Sequence, residues 1–335
     1  MSVRATATLT ARKVFQRLPV AARDRLRRDN AVLSGITQVK RNQAMLARRI
    51  ARLASTAAGP SPTEVTDPRF PHGVRSRICT EAQLHQAWFG AWCAAIHEEP
   101  RAHRKLWEHA YLAHVLDSLD MLRPGRRGLG FGVGRERLVA LFAGRGCEIV
   151  ATDLPPETED ARVWLDTEQY AGALMGLSYP ALCEPEQFRD LVTWRSVDMR
   201  SPPCDLTGFD FCWSACSFEH LGSLAAGFEF VERSLATLRP GGIAVHTTEY
   251  NLGSDTATVA RGHTVLYRRR DLEGLVTRLE AAGHQVARLE LAPGSGVLDE
   301  YVDVPPYVDE PHLRLWYRKF VTTSVALVIR RRADS

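Results

Sequence analysis

The sequence predicts an α/β protein built on a seven-stranded, mostly parallel, doubly wound sheet, and two observations predict it. From residue 127 onward, short apolar segments alternate with helical patterns, as in a parallel sheet with helices on both faces. A glycine-rich stretch, "GLGFGVGRERL" (128–138), directly follows the start of the first apolar segment, where a strand passes to a helix. The predicted strands lie near 127–131, 147–152, 192–197, 208–214, 241–248, 284–291 and 321–330.

The last two predicted strands differ from the others, because no helical pattern separates them. The segment between them, "APGSGVLDEYVDVPPYVDEPHLRLWYRKF", is rich in proline and acidic residues. A strand pair without a helical crossover is antiparallel. We therefore expect the last strand to run against the rest of the sheet.

Four regions are predicted along the chain. Residues 1–58 form a basic helical and coiled-coil extension, and residues 59–79, rich in Pro, Ser, Thr and Gly, form a linker. Two helical patterns make residues 80–124 a helical cap, and residues 125–335 contain the sheet. The long segment between the second and third strands is expected to form a helical lid.

The positive charge of the chain is concentrated at its N-terminus. Residues 1–60 carry 13 Lys and Arg against 2 Asp and Glu, whereas the remainder carries 30 against 37. Such an arm either contacts nucleic acid or an anionic surface, or is a solvated helix face.

Apolar residues within 30–54 recur at alternating spacings of four and three, which is typical of a short coiled coil with one glutamine in its seam. We expect this segment either to form a homodimer or to lie as an amphipathic helix on its own domain. The seam residues are Val32, Ile36, Val39, Gln43, Leu46, Ile50 and Leu53.

Composition excludes several classes of protein. No apolar run is long enough to cross a membrane, and the first residues lack the apolar core of a signal peptide, so a cytoplasmic location is expected. The seven cysteines are scattered without a C-x-x-C pair, which favours reduced thiols and predicts no metal site.

The glycine stretch excludes two common ligands. It lacks the last glycine of the dinucleotide pattern G-x-G-x-x-G, and the chain has no G-x-x-x-x-G-K-[ST] phosphate loop. What remains is G-x-G-x-G at Gly130, Gly132 and Gly134, where bare backbone can lie against a ligand. Asp153 ends the second predicted strand, 19 residues beyond Gly134, where a carboxylate can bind the two hydroxyls of a ribose.

With these motifs the chain resembles the class I S-adenosylmethionine-dependent methyltransferases over about residues 101–330. The resemblance implies S-adenosyl-L-methionine as cofactor, with its methionine part held by the glycine turn, its ribose by Asp153, its adenine amino group by Asp198 and its methionine amine near Ser214. Neighbouring residues of the implied cofactor site are Phe131, Leu154 and Met199.

One position departs from the family pattern. Many members have an acid two residues before the first glycine of G-x-G-x-G, and this chain has Gly128 there. Glu108, on the helix predicted upstream, is either a replacement that closes over the cofactor or a solvated helix residue.

Methyl transfer to a hydroxyl requires a positioned nucleophile and a group that takes its proton. His220, after the fourth predicted strand, and Glu249, at the end of the fifth, are the expected catalytic residues. His220 is equally compatible with a structural role. Asn251 is a further candidate for binding the acceptor.

The predicted function is a methyltransferase that modifies a sugar hydroxyl in a glycan or natural product. The acids of the 292–319 segment favour a polyhydroxyl or cationic acceptor, and Trp164, Gln169 and Tyr170 of the predicted lid are candidates for stacking on the cofactor or a sugar. Two alternatives stay open: an RNA methyltransferase guided by the basic arm, and a non-catalytic assembly subunit.

Overall fold

The structure, a computed structural model, describes residues 20–55, 67–155 and 174–333. Within these ranges the helices are α1 (Val20–Ser55), α2 (Glu81–Leu84), α3 (Ala87–Ala95), α4 (Arg104–Ser118), α5 (Leu138–Gly144), α6 (Pro185–Leu191), α7 (Leu224–Thr237), α8 (Arg269–Ala281) and α9 (Val297–Glu300). The strands there are β1 (Ser76–Arg77), β2 (Arg127–Phe131), β3 (Glu148–Asp153), β4 (Val192–Ser196), β5 (Phe209–Ala215), β6 (Leu238–Asn251), β7 (Gln285–Val286), β8 (Leu289–Glu290), β9 (Val302–Asp303), β10 (Arg314–Tyr317) and β11 (Phe320–Arg330).

Nine of the described strands form one sheet in the order β4-β3-β2-β5-β6-β11-β10-β9, with β7 also paired to β11. The strands from β2 to β6 are parallel, and β11 is antiparallel to both β6 and β7. One hydrophobic cluster joins α3, α4 and α5 to one face of the sheet, and a second joins α7 and α8 to the other. The predicted fold class, a doubly wound and mostly parallel sheet with an antiparallel last strand, is confirmed.

The predicted strand over 284–291 is wrong in its continuity. It is divided into β7, which pairs with β11, and β8, which leaves the main sheet and pairs in parallel with β1. Ion pairs to Glu290 from Arg75 (3.2 Å) and Arg77 (3.0 Å) hold β8 beside β1. The break therefore has a physical cause, since the acid needs two arginines from another part of the chain.

The predicted linker over 59–79 is also corrected where the structure describes it. From residue 67 onward this segment packs onto the body, with Phe70, Val74 and Ile78 buried. Cys79 donates its backbone N–H to the Ser324 carbonyl of β11 (2.9 Å). Apolar side chains at 70, 74 and 78 outweigh the Pro and Gly content that indicated a flexible connection.

The sheet positions the functional residues at one edge. All side chains of β5 are buried, as expected for a central parallel strand covered on both faces. The helix α7 begins where Ser223 accepts a hydrogen bond from the Ala226 N–H (3.1 Å), a cap that fixes the loop after β5. Among the described residues, no helix combines the length and apolar character needed to cross a membrane.

Candidate functional site

Gly132 lies at the tip of the turn between β2 and α5. Its φ is +57° and that of Gly134 is +50°, in the left-handed region where a residue without a Cβ is favoured. A Cβ on Gly132 would come within 2.9 Å of the Ser217 hydroxyl and 3.2 Å of the Met199 sulfur. The turn therefore places bare backbone against the segments that follow β4 and β5.

The two preceding glycines, Gly128 and Gly130, make room for aromatic rings of β5. A Cβ on Gly128 would collide with the ring of Phe211, and one on Gly130 would collide with Trp213 and Val133. Both rings belong to the β5 residues paired with these glycines in the sheet. Aromatic packing accounts for the missing side chain of Gly130, which we predicted to face a ligand, and the Phe211 ring fills the space of an acid at position 128.

Phe131 also differs from its predicted place beside a cofactor. Its ring is fully buried and packs edge-on against Phe230, with 5.2 Å between the ring centroids. The side chain thus belongs to the core on the α7 side of the sheet. Only its backbone is adjacent to the glycine turn.

Asp153 ends β3 and is bound to the glycine turn. Its carboxylate accepts hydrogen bonds from the backbone N–H of Gly134 (3.0 Å) and of Leu154 (2.8 Å). Burial raises the pKa of this carboxyl, and the two backbone donors oppose the rise. Because a carboxylate has about four lone-pair positions, two can still accept hydrogen bonds from a ligand.

Asp198 and Met199 follow β4. The Asp198 carboxylate is half-buried and accepts hydrogen bonds from the backbone N–H and guanidinium of Arg200, both 2.9 Å. Met199 is buried against Gly132. The structure brings Met199 to the glycine turn and pairs Asp198 with Arg200, and the roles of both residues toward an adenine stay predictions.

The prediction for Ser214 is corrected by the way β5 ends. Ser214 is fully buried, and its hydroxyl lies 2.9 Å from Nδ1 of His246, whose Nε2 lies 3.0 Å from the Ser234 hydroxyl. Both nitrogens of His246 are therefore satisfied, and burial lowers its pKa to about 3. Ser214 points into the core, away from a methionine amine.

Ser217 takes the position that we expected for Ser214. Cys216 has φ +48°, a left-handed conformation that is rare outside glycine. This turn reverses the alternation of the strand and places the Ser217 hydroxyl 3.2 Å from the Gly132 carbonyl, to which it donates. The resemblance placed Ser214 near the methionine amine, and the turn at Cys216 brings Ser217 to the glycine turn.

The first turn of α4 brings charged side chains onto the carboxyl ends of β5 and β6 and onto the amino-terminal half of β11, which is antiparallel to β6. The Lys105 ammonium donates to the Ala215 carbonyl (3.0 Å) and to Glu108 (3.2 Å). Glu108 is fully buried and also accepts hydrogen bonds from the Ser324 hydroxyl (2.5 Å) and the Cys216 thiol (3.1 Å). Glu108 is thus part of the cleft floor and not a solvated helix residue.

Glu108 is held ionised in this position. Burial alone would raise its pKa, but the charges of Lys105 and Arg104 outweigh burial and lower the pKa to about 2. The carboxylate and the two cations form a compact cluster at the strand ends. Its arrangement requires all three residues.

Glu249 is paired within the same cluster. One oxygen lies 2.5 Å from the Arg104 guanidinium, and the other accepts a hydrogen bond from the Thr322 hydroxyl (2.7 Å). With its oxygens engaged by a cation and a donor, Glu249 holds Arg104 in place. Its role as a base stays a prediction.

Glu219 is a buried acid without an arginine or lysine ion pair. It accepts a hydrogen bond from the Thr248 hydroxyl (3.0 Å) and is 1% exposed. Burial, together with the neighbouring charge of Glu249, raises its pKa to about 8. At neutral pH this side chain is therefore a neutral acid that can donate a hydrogen bond.

Three potential metal-ligand atoms, from Cys216, Glu219 and Glu249, lie within 4.8 Å of one another. The Arg104 guanidinium already contacts Glu249, and the pKa of the Cys216 thiol is raised by burial and by the charge of Glu108. A neutral thiol and a carboxylate bound to arginine are poor metal ligands.

His220 lies at the mouth of the cleft. Its Nδ1 donates to the His263 carbonyl (2.8 Å), which leaves the lone pair on Nε2, 3.8 Å from Glu219. Burial lowers its pKa to about 4, although the His263 carbonyl opposes this effect. The ring is neutral at pH 7, as a proton acceptor must be.

Glu136 connects the glycine turn to the aromatic packing. Its carboxyl accepts a hydrogen bond from the Trp213 indole (2.5 Å) and lies 3.9 Å from Nε2 of His109. Burial raises its pKa to about 8. Glu136 and Glu219 are thus two neutral carboxyls beside the ionised Glu108.

Asn251 and the acids of the 292–319 segment have structural partners. Asn251 is buried and organises the loop after β6 by accepting the N–H groups of Gly253 and Ser254. Asp299 pairs with Arg314 (2.8 Å), and Asp303 lies 2.9 Å from His312. These residues are therefore not available to an acceptor as we expected.

The lid candidates Trp164, Gln169 and Tyr170 lie outside the described residues.

Sequence reasoning missed five residues that the structure brings to the cleft, namely Arg104, Lys105, Glu136, Cys216 and Ser217. The helical pattern around "RKLWEHA" was visible, but no local signal showed that its first turn caps three distant strands.

No family model matches this chain, and no curated protein matches it. Solved structures do resemble it. One is a putative sarcosine dimethylglycine methyltransferase from Galdieria sulphuraria, 13% identical, which covers 69% of this chain and 85% of its own with a TM-score of 0.42.

Two other similar structures have different chemistry. Magnesium protoporphyrin IX methyltransferase from Synechocystis, solved with bound SAH, is 10% identical over 68% of this chain and 83% of its own, with a TM-score of 0.41. The [4+2]-cyclase SpnF is 17% identical over 66% of this chain and 83% of its own, with a TM-score of 0.40.

The strand order and the glycine turn after the first sheet strand give this chain the fold of the class I S-adenosylmethionine-dependent methyltransferases.

Proposed function

We propose that this protein is an S-adenosylmethionine-dependent methyltransferase that methylates a hydroxyl group, most simply that of a sugar in a glycan or natural product. The observation that carries the proposal is the charge of the cleft. Beside the glycine turn, four acids (Glu108, Glu136, Glu219 and Glu249) face two cations, Arg104 and Lys105.

These carboxyls fit the sulfonium and ammonium groups of the proposed cofactor, which also has a carboxylate, although the cluster has no net charge while Glu136 and Glu219 are protonated. Two of the four carboxyls are neutral because burial raises their pKa to about 8. A cation bound near them favours their ionised form and is stabilised in return. An anionic ligand such as a nucleoside triphosphate has no such match.

The other parts of the cleft fit the same ligand. Gly132 supplies bare backbone whose Cβ space is closed by Ser217 and Met199. Asp153 is fixed by two backbone donors and retains acceptor capacity for the hydroxyls of a ribose. The cofactor, when bound, supplies a methyl group already activated for displacement.

His220 is the proposed proton acceptor. Its Nε2 lone pair is oriented by the Nδ1 hydrogen bond to the His263 carbonyl, and the ring is partly accessible at the cleft mouth. A hydroxyl acceptor must lose a proton during transfer, whereas a thiolate or carboxylate acceptor needs no base. A base at this position therefore favours an acceptor that loses a proton, a hydroxyl or an amine, over a thiolate or a carboxylate.

Cofactor binding is tested by calorimetry with S-adenosylmethionine. We expect binding by the wild-type protein, weakened by about 1 to 3 kcal/mol in Asp153→Ala through loss of hydrogen bonds to the ribose. Asp205→Ala, an exposed acid paired only with Arg195, is the matched control. Absence of binding by the wild type contradicts the proposal.

Turnover is tested with methyl-labelled cofactor and, separately, glycans, small hydroxylated natural products and RNA. We expect label in a hydroxylated acceptor, and His220→Ala should lower kcat by roughly 10²- to 10⁴-fold with little change in cofactor affinity. His263→Ala keeps the carbonyl that orients His220 and serves as control. Label in RNA alone overturns the proposed acceptor class.

A further inference from the structure

We propose that α1 pairs with α1 of a second copy of this chain as a parallel, in-register, two-stranded coiled coil. The proposal rests on the apolar stripe formed by the described seam residues Val32, Ile36, Val39, Leu46 and Ile50. Each is between 43% and 62% exposed, although all are large and aliphatic.

The helix is attached to its own body by a different edge. Lys40, Ala44, Ala47 and Ala51 are buried against the body, and the Lys40 ammonium donates to the carbonyls of Val304 and Pro306. At 100° per residue, this edge lies roughly a quarter turn from the centre of the stripe. Docking through small alanines thus leaves the large side chains facing outward.

Two ion-pairing contacts fix the attachment. Arg48 lies 3.0 Å from Glu310, and Lys40 lies 3.8 Å from the buried Asp303. A free three-heptad peptide is a marginal coiled coil because each helix must first be ordered. Here the body already orders the helix, so association has a smaller conformational entropy to overcome.

One core residue, Gln43, favours a parallel pair. Ile36 and Ile50 occupy a positions, as is typical of parallel dimers, and the d positions hold Leu46 together with the β-branched Val32 and Val39. Gln43 is the only polar residue of the stripe and is exposed. In a parallel register it meets its own copy, whereas in an antiparallel pair it faces apolar d residues.

Charge does not oppose this register. In parallel coiled coils each g residue faces the following e residue of the partner. The e residues Lys40 and Ala47 are buried against the body, and the g residues of the partner that would lie beside this edge, Gly35 and Asn42, bring no like charge to it. The small side chains at 35 and 42 also leave room beside the body loop where Val304 is 37% exposed, next to the stripe.

A lipid surface is the other occupant that a basic helix suggests, and the side chains argue against it. Helices that lie in a membrane interface commonly insert Trp, Phe or Leu. Of these residue types, α1 contains leucines only and no aromatic side chain. The stripe also follows the narrow 3.5-residue repeat of a seam, whereas an interfacial helix has a broad apolar face.

The first experiment measures the mass of the full chain by light scattering and sedimentation over a range of concentrations. We expect a dimer, and we expect Ile36→Glu to raise the dimer dissociation constant by at least about 100-fold, because a charge would be buried in the seam. Arg41→Glu places the same charge outside the seam and should remain dimeric. A monomeric wild type, or a dimer unaffected by Ile36→Glu, overturns the proposal.

The orientation is tested by disulfide cross-linking in a Cys204→Ser background, which removes the exposed native thiol. In a parallel pair, Ile36→Cys and Ile50→Cys should each cross-link to their own copy. In an antiparallel pair a positions face d positions, so a dimer in which neither variant cross-links to its own copy overturns the parallel register. A wild type that is monomeric and sediments with anionic phospholipid vesicles overturns the choice of occupant.

Discussion

The cleft has two sides that differ in how the chain builds them. The glycine side consists of Gly132, Gly134 and Asp153, which lie within 22 residues of one another and meet through adjacent parallel strands. The charged side consists of Arg104, Lys105 and Glu108 from α4, placed against strand ends more than 100 residues away. Local backbone rules determine the first side, and long-range packing determines the second.

This difference predicts which kind of substitution damages each side. On the glycine side a change acts through backbone conformation and the space for a ligand, with little effect on the core. On the charged side a change leaves a buried charge without its partner and acts on folding. Three experiments, taken from the largest expected effect to the smallest, distinguish an effect on ligand binding from an effect on folding.

The largest effect is expected for Gly132→Val. A β-branched residue at φ +57° is strained, and its side chain would collide with Ser217 and Met199. We expect S-adenosylmethionine affinity measured by calorimetry to fall by roughly 100-fold or more. Gly274→Ala, in the exposed face of α8 with open space around its Cα, should leave affinity unchanged.

An intact affinity in Gly132→Val would place the ligand elsewhere. Loss of folding in Gly132→Val alone would instead show that the turn is a structural element first. Circular dichroism of each variant distinguishes these outcomes.

The glycine side could be predicted from the sequence, and so could the sheet. Strand boundaries agreed to within one or two residues for β2, β3, β4 and β5, because apolar runs and turn residues are local signals. The errors on this side came from tertiary packing. Phe211 and Trp213 fill the space above Gly128 and Gly130, and nothing within the glycine stretch indicates those rings.

The charged side could not be predicted, for two physical reasons. The register of α4 against the strand ends depends on the packing of the whole cap, and no residue spacing encodes it. The turn at Cys216, with φ +48°, shifts which side chains after β5 face the cleft. Glu249 was found by its position at a strand end, but its pairing with Arg104 became visible only in the fold.

The second prediction concerns folding. Glu108→Gln removes the carboxylate that compensates Lys105 and Arg104, and we expect the free energy of unfolding in urea to fall by about 2 to 4 kcal/mol. Asp117→Asn, in the same helix, breaks a surface pair with Arg145 and should cost under about 1 kcal/mol. Equal losses in the two variants would contradict a buried cluster at the strand ends.

The smallest effect on stability is expected for Glu136→Gln, and it is the one that depends most strongly on pH. Glu136 lies between the two sides, bound to the Trp213 indole, and burial raises its pKa from 4.5 to about 8. Between these values the folded protein holds a proton that the unfolded chain has released, so Glu136 makes stability fall as the pH rises from about 5 toward 8. Glutamine has the shape of the protonated acid and still accepts the indole hydrogen bond.

Thermal unfolding of the two proteins at several pH values measures this linkage. We expect equal Tm values near pH 4, where Glu136 is protonated in both the folded and the unfolded chain, and a Tm that becomes a few degrees higher in Glu136→Gln as the pH rises toward 8, because the wild type must hold a proton or bury a carboxylate there. Glu219, whose pKa is also raised, is present in both proteins, so its contribution cancels in the difference. Glu148→Gln, at an exposed position of β3, should show no pH-dependent difference. If Glu136→Gln is destabilised equally at both pH values, Glu136 is ionised throughout, and the cleft has a permanent negative charge on its glycine side as well.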